Sequence, residues 1–232
     1  MLNGEVVVLF DVDNTLFDND RFKQDLRDRL QCDLGAAASA RYWQHYEALR
    51  AELGYVDYLA ALQRLRMEVE ETPQLLAMAG AVLDYPFADR LYEGALAAVA
   101  CLSRFATTAI LSDGDIVVQP RKIQRSGIFA AVQGRVLVTV HKQRALETLR
   151  ARFPATHYVM VDDKPSVLAD MKAAMGDDLT TVFVRQGHYA QGGDADAPEH
   201  PPDRVVEQIA ALATVDADWL QLPARGAPRA TA

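Results

Sequence analysis

A chain of 232 residues, half of them hydrophobic, can bury a sizeable core as one large domain or as a core with a smaller insert. Its 24 basic and 32 acidic residues give a net charge of −8, which argues against general binding to nucleic acid or to anionic membranes. Two cysteines, Cys32 and Cys101, are too few for a disulfide framework or a zinc site, and no stretch approaches the roughly 20 apolar residues of a membrane span. The apolar run after Glu5 has no basic flank and no small-residue cleavage site, so it does not read as a signal peptide. A soluble protein of the cytoplasm is the expectation.

Val6 to Phe10 is all apolar and rich in Val, the pattern of a strand buried on both faces in a parallel sheet. It runs into Asp11 and Asp13, at the strand end where open α/β sheets bind ligands. If the strand continued, its period of two would point both carboxylates the same way. Two such charges are costly side by side, so a metal or another strong positive charge is expected between them. From Asp20 to Gly54 the apolar spacing is helical, with a break expected at Gly35. Val56 to Val69 continues in the same style. Thr72-Pro73 restarts a helix, with Thr72 as N-cap and Pro73 in the first turn, and Leu75 to Leu83 follows. Residues 18–88 thus read as an all-helical insert, a cap on the core.

Alternation of helix and strand then resumes. Helices are expected over Tyr92 to Phe105, Ile116 to Ser126, Lys142 to Phe153 and Val167 to Met175. Between them lie strands at Thr107 to Leu111, Val136 to Val140, His157 to Val161 and Thr180 to Val184. The fold class is therefore α/β, a doubly wound parallel sheet with its site at the carboxyl edge. The core covers residues 1–17 and 89–222, and the insert 18–88. Gln191 to Asp203 reads as a loop, Val205 to Leu212 as a helix, and Trp219 to Leu222 as a segment packing back on the core. Residues 223–232 read as a disordered tail.

The strand ends supply Asp11 and Asp13, then Ser112, then Lys142, then Asp162 and Asp163. Any one of them alone has a plainer reading as a cap or turn residue. In this order they resemble the haloacid dehalogenase (HAD) superfamily. Its motifs are an Asp-x-Asp-x-Thr/Val at the first strand, a Ser/Thr, a Lys and an acidic pair. The resemblance covers residues 5–17 and 90–190, and the helical insert looks like the cap many members carry.

The resemblance implies a Mg²⁺-dependent hydrolase of a small phosphomonoester, acting through an aspartyl-phosphate. Asp11 is then the nucleophile, and Asp13 is acid to the leaving oxygen and base to the attacking water. Mg²⁺ is expected on Asp11, the Asp13 main-chain carbonyl and Asp163, with Asp162 reaching it through water. Ser112 and the N–H groups of Asp113 and Gly114 are expected on phosphoryl oxygens, and Lys142 offsets the crowded negative charge. Lys122, inside a helix, is set aside in favour of Lys142. Thr15 is expected to brace the turn after Asp13, and Lys164 to be a solvated charge. Asp162 departs from the Gly-Asp that many members carry here, and the further Asp usual four residues later is missing near Leu168.

Arg41, His45, Tyr46 and Tyr58 are candidates for contacting a leaving group, and Arg185 and His188 for bordering the site. A phosphomutase or other phosphotransferase is the nearest alternative. A dehalogenase is disfavoured because Asp13 has no proton to deliver to a departing halide. A receiver domain carries its acidic pair after the first strand and lacks a helical insert. A non-catalytic binding module on this fold would leave the chemical residues idle.

Overall fold

The computed structural model describes residues 5–70, 72–191 and 201–220. The run Val6–Phe10 is strand β1, buried along its whole length. Val6, Val8 and Phe10 pack into one hydrophobic cluster and Val7 and Leu9 into another, so the alternation of the strand fills both faces. Around it lie β2 (Thr107–Asp113), β3 (Val136–Thr139), β4 (His157–Asp162), β5 (Leu179–Val184) and β6 (Arg204–Val206). The sheet order is β3-β2-β1-β4-β5-β6 and each pairing is parallel, the doubly wound arrangement expected. The strand order reverses between β1 and β4, where Phe10 pairs with Val161. In such sheets that crevice, outside the strand carboxyl ends, receives the ligand.

Residues 19–83 carry helices and, among the described residues, no strand. Asp18 caps α1 (Asn19–Leu53) by accepting from the Arg21 N–H at 2.9 Å. The helical run breaks at Gly35, whose φ of 85° and ψ of 165° a residue with a Cβ adopts only at a cost. Asp57 caps α2 (Tyr58–Arg66), and Thr72 with Pro73 opens α3 (Pro73–Leu83) as the sequence indicates. Phe22 fastens this segment to the loop after β1. Its ring lies 6.2 Å from Phe17, 5.2 Å from Tyr58, 4.7 Å from Tyr85 and 5.8 Å from Phe87, centroid to centroid. Those are the spacings of attractive edge-to-face and tilted pairs.

The remaining helices are α4 (Ala95–Leu102), α5 (Val118–Arg125), α6 (Ile128–Ala131), α7 (Leu146–Arg152) and α8 (Pro165–Met175). Two expectations are corrected. Lys142 does not open a long helix but sits in a single 3-10 turn, Lys142–Arg144, ahead of α7. Val205 to Leu212 is not a helix. Arg204–Val206 is edge strand β6, followed by a 3-10 turn, Ile209–Thr214, that buries Ile209 and Leu212. Asp203 draws the chain alongside β5 by accepting from the Thr181 N–H at 2.9 Å and from Lys172 Nζ at 2.9 Å. That long-range tether overrides the helical spacing of a short apolar run. Much of the expected 191–203 loop, and the tail from 221 on, lie outside the described residues, while Leu220 is buried.

Phe22→Ala removes a fully buried ring and four aromatic contacts. It is expected to lower unfolding stability by about 3–5 kcal/mol in urea titration, whereas a loss below about 1 kcal/mol would contradict this packing role.

Candidate active site

The strand edge gathers three buried carboxylates. Pairing of β1 with β4, extended by the Asp11 N–H donating to the Val161 carbonyl at 2.9 Å, sets Asp11 beside Asp162 and Asp163. Each of the three offers an oxygen within 4.8 Å of the others. Lys142, coming off the end of β3, lies between two of them. Its Nζ donates to Asp11 Oδ1 at 2.6 Å and to Asp162 Oδ2 at 2.7 Å. The hydroxyl of Ser112, at the end of β2, donates to Asp11 Oδ1 at 3.2 Å.

Charge decides how these groups behave. Burial foremost, then Asp162 and Asp13, push Asp11 up to about 7 despite Lys142. Asp163 rises to about 9 through burial and then the charges of Asp162 and Asp11. Asp113 is pushed up to about 6 by burial, with Lys142 opposing. Burial is also the largest single influence on Lys142, lowering it. The combined carboxylates of Asp11, Asp162 and Asp113 win and hold it well above the usual lysine range.

The site therefore holds more buried negative charge than Lys142 balances. Within the three-carboxylate cluster the buried oxygen without a partner is on Asp163, and the neighbouring Asp113 Oδ1 is likewise buried and unpartnered. Both oxygens of Asp162 are engaged, Oδ2 by Lys142 and Oδ1 by the Lys164 N–H at 2.9 Å. Asp163 Oδ1 meets Thr15, while Asp163 Oδ2 is buried with no hydrogen-bond partner. An all-oxygen donor set of this charge, with a free buried carboxylate oxygen, fits a hard divalent cation.

Asp13 departs from the expected layout. The strand does not continue: Asn14 takes a φ of 59° and the Phe17 N–H folds back to the Val12 carbonyl at 2.9 Å. The two carboxylates are consequently handed to different cations. Lys122 Nζ donates to Asp13 Oδ1 at 2.5 Å and to Asn19 Oδ1 at 3.2 Å, and sits over the Phe17 and Phe22 rings at 5.0 and 5.7 Å. Its side chain is wholly buried. The lysine set aside from the sequence is thus a second counter-charge. The signal was present: Val118, Lys122 and Ile123 share the buried face of α5, where a lysine requires an acidic partner.

Other expected residues divide cleanly. Asp113, Gly114, Lys164, His188, Tyr46 and Tyr58 line the cleft of about 210 Å³ above Asp11. Gly114 is a correction, because its N–H donates to the Thr139 carbonyl at 3.0 Å and is not spare for a phosphoryl oxygen. Arg41 and His45 pair with Glu68, and Arg185 with Glu207, and none of the three lines the cleft. Thr15 does more than brace a turn, since its hydroxyl accepts from the Asp163 N–H at 3.0 Å and ties the loop to β4. Two contributors were missed. Gln119 Nε2 donates to the Ser112 hydroxyl at 3.0 Å, orienting it. Asn14 Oδ1 accepts from the Asn19 and Asp20 N–H groups, both at 3.1 Å, and so caps α1. Gly187, at a φ of 70°, lets the following loop reach it, because a Cβ there would meet the Asn14 Cβ at 2.7 Å.

A doubly wound sheet carrying Asp11, Ser112, Lys142 and an acidic pair at its carboxyl edge defines a class of hydrolase. Residues 6–175 match the family described as "Hydrolase: haloacid dehalogenase-like hydrolase", and the chain belongs to it. A haloacid dehalogenase-like protein from Burkholderia xenovorans LB400 shares 52% identity over 92% of this chain and 99% of its own, with a TM-score of 0.86. The fold also recurs in the magnesium-bound HAD hydrolase YfnB of Bacillus subtilis, at 16% identity, over 90% of this chain and 96% of that one, TM-score 0.63. The L-2-haloacid dehalogenase of Xanthobacter autotrophicus shares it at 19% identity, over 89% and 96%, TM-score 0.58. No protein of curated function matches the chain.

The raised carboxyls have a thermodynamic consequence. A group whose folded value exceeds its unfolded one contributes stability at low pH that is lost as pH rises through the folded value. With divalent ions chelated, the Tm is expected to fall between about pH 5 and pH 9, as Asp11 and Asp163 are forced to ionise. Added Mg²⁺ should raise the Tm more at about pH 8 than at about pH 5.5, because it displaces those protons. Calorimetry checks both, and a metal shift independent of pH would contradict them.

Proposed function

We propose that the protein is a Mg²⁺-dependent phosphatase acting on a small phosphomonoester in the cytoplasm. The observation that carries this reading is Asp13. Its carboxylate lines the same cleft as Asp11, two residues on. A halide leaves without a proton, whereas an alkoxide needs one. The dehalogenases sharing the fold are too remote in sequence to speak for the reaction here.

In the first step an Asp11 carboxylate oxygen attacks phosphorus, the bond from phosphorus to the ester oxygen breaks, and Asp13 delivers its proton to that oxygen. In the second, water attacks phosphorus and gives its proton to Asp13, and the Asp11–phosphorus bond breaks to release phosphate. Lys142 offsets the negative charge that Asp11 and the phosphoryl oxygens bring together. Ser112, held by Gln119, is placed to donate to a phosphoryl oxygen in place of Asp11. Lys122 fixes one oxygen of Asp13, leaving the other as proton carrier. Asp11, Asp163 and the Asp13 main-chain carbonyl would hold Mg²⁺, with Asp162 behind, and the ion would supply further neutralisation of negative charge beside Asp11. The helical segment 18–88 serves as a cap on a core of residues 1–17 and 89–222, closing the cleft over the leaving group.

The test is phosphate release from a panel of phosphomonoesters with and without Mg²⁺, run beside chloride release from L-2-chloropropionate. Metal-dependent phosphate release is expected, reduced about 10³-fold or more in Asp11→Asn and about 10²–10⁴-fold in Asp13→Asn. Chloride release without phosphate release, or phosphatase activity indifferent to both substitutions, would overturn the assignment.

A further inference from the structure

The cleft above Asp11 has one wall rich in carboxylates, interrupted by Lys142 and Lys164, and one wall that carries only cations among its charged side chains. Asp11, Asp13, Asp113, Asp115, Asp162 and Asp163 line it from the sheet edge. From α1, the link after it and the start of α2 it receives Lys23, Arg50, Tyr46, Tyr55 and Tyr58, and no acidic side chain. The two cations on this wall are weakly matched. Lys23, only 25% exposed, has its carboxylate partner Asp20 at 3.9 Å, and Asp20 is already held by His188 at 2.8 Å. The carboxylate at Arg50 is Glu47, 3.6 Å away and 63% exposed.

Burial first, then the positive charges of Arg50 and Lys122, outweigh Asp20 and Asp13 and bring the Lys23 ammonium below its ordinary range. Holding such like charges together in a half-covered cleft is unfavourable unless an anion enters between them. Lys142 and the carboxylate cluster already account for the phosphoryl end. Lys23 and Arg50 stand on the opposite wall, where a leaving group would extend.

We propose that Lys23 and Arg50 form a second anion subsite, and that the substrate is a phosphomonoester whose leaving group carries an acidic group of its own, a carboxylate or a second phosphate. This rests on the phosphatase reading above. The subsite works by charge pairing in a partly desolvated cleft, so its effect falls on binding of the leaving group. The three tyrosines enclose the same wall, and the hydroxyl of Tyr58 is directed to Asn19 Oδ1 at 3.5 Å.

Matched substrates test it: phosphoglycolate against hydroxyethyl phosphate for a carboxylate, and ethylene glycol bisphosphate against its monophosphate for a second phosphate. At least one acidic member is expected to exceed its neutral partner about tenfold or more in kcat/KM, chiefly through KM. Which pair shows it distinguishes the two kinds of acid. Lys23→Gln and Arg50→Gln should each bring that ratio toward one, and Arg50→Lys should largely retain it. In Asp11→Asn protein, the same preference should appear in the Kd measured by titration calorimetry. Equal turnover within both pairs overturns the subsite while leaving the phosphatase reading intact, and so does a preference that both Gln variants preserve. Absence of metal-dependent phosphate release from any substrate overturns the phosphatase reading, and the subsite with it.

Discussion

The site turns on one ammonium group. Lys142 Nζ, buried and within 2.7 Å of both Asp11 and Asp162, keeps like charges at the sheet edge from forcing the strands apart. Two carboxylates about 4 Å apart repel by roughly 4 kcal/mol at an effective dielectric of about 20, a large share of a domain's net stability. Parallel pairing of β1 with β4 makes this crowding unavoidable, because it brings the two acidic strand ends side by side. One cation cannot balance three acids. The surplus shows as the raised Asp11 and Asp163, and as a buried Asp163 oxygen without a partner. Charge deficit and metal affinity are here the same property.

Separation of the two motif carboxylates follows from the turn after Phe10. Asn14 in the left-handed region, capping α1 through its own side chain, swings Asp13 away from the strand axis and toward α5. Lys122 meets it there, embedded against Phe17 and Phe22. The rings that fasten the helical segment to the core thus also shape the surroundings of the acid/base candidate. Packing of the insert and placement of Asp13 are coupled through Lys122 and Asn19, which a single side chain could not achieve.

Much of this was legible in the residues because burial and period coincide. A short all-apolar run rich in Val, ended by polar residues, favours a doubly covered strand, and polar residues at successive strand ends fall on one edge of a parallel sheet. Asp11, Ser112, Lys142, Asp162 and Asp163 meet for that reason. The burial of Lys122 was legible from its place on the apolar face of α5, but its partner was not, because Asp13 is 109 positions away and the turn that aims it depends on Asn14 leaving the strand region. Strand β6 was hidden by a helical spacing in Ile209 and Leu212 that a 3-10 turn satisfies equally. The Gly114 N–H was misjudged because β3 pairing, invisible locally, consumes it.

A phosphatase of the kind proposed carries the phosphoryl group on Asp11 during turnover. A rapid acid quench of the protein turning over its best phosphomonoester, followed by peptide mass spectrometry, tests it directly. A phosphoryl increment is expected on the peptide carrying Asp11, accumulating further when Asp13→Asn slows hydrolysis of the intermediate. Turnover with no increment in either protein, or with the phosphoryl group on another residue, would contradict it.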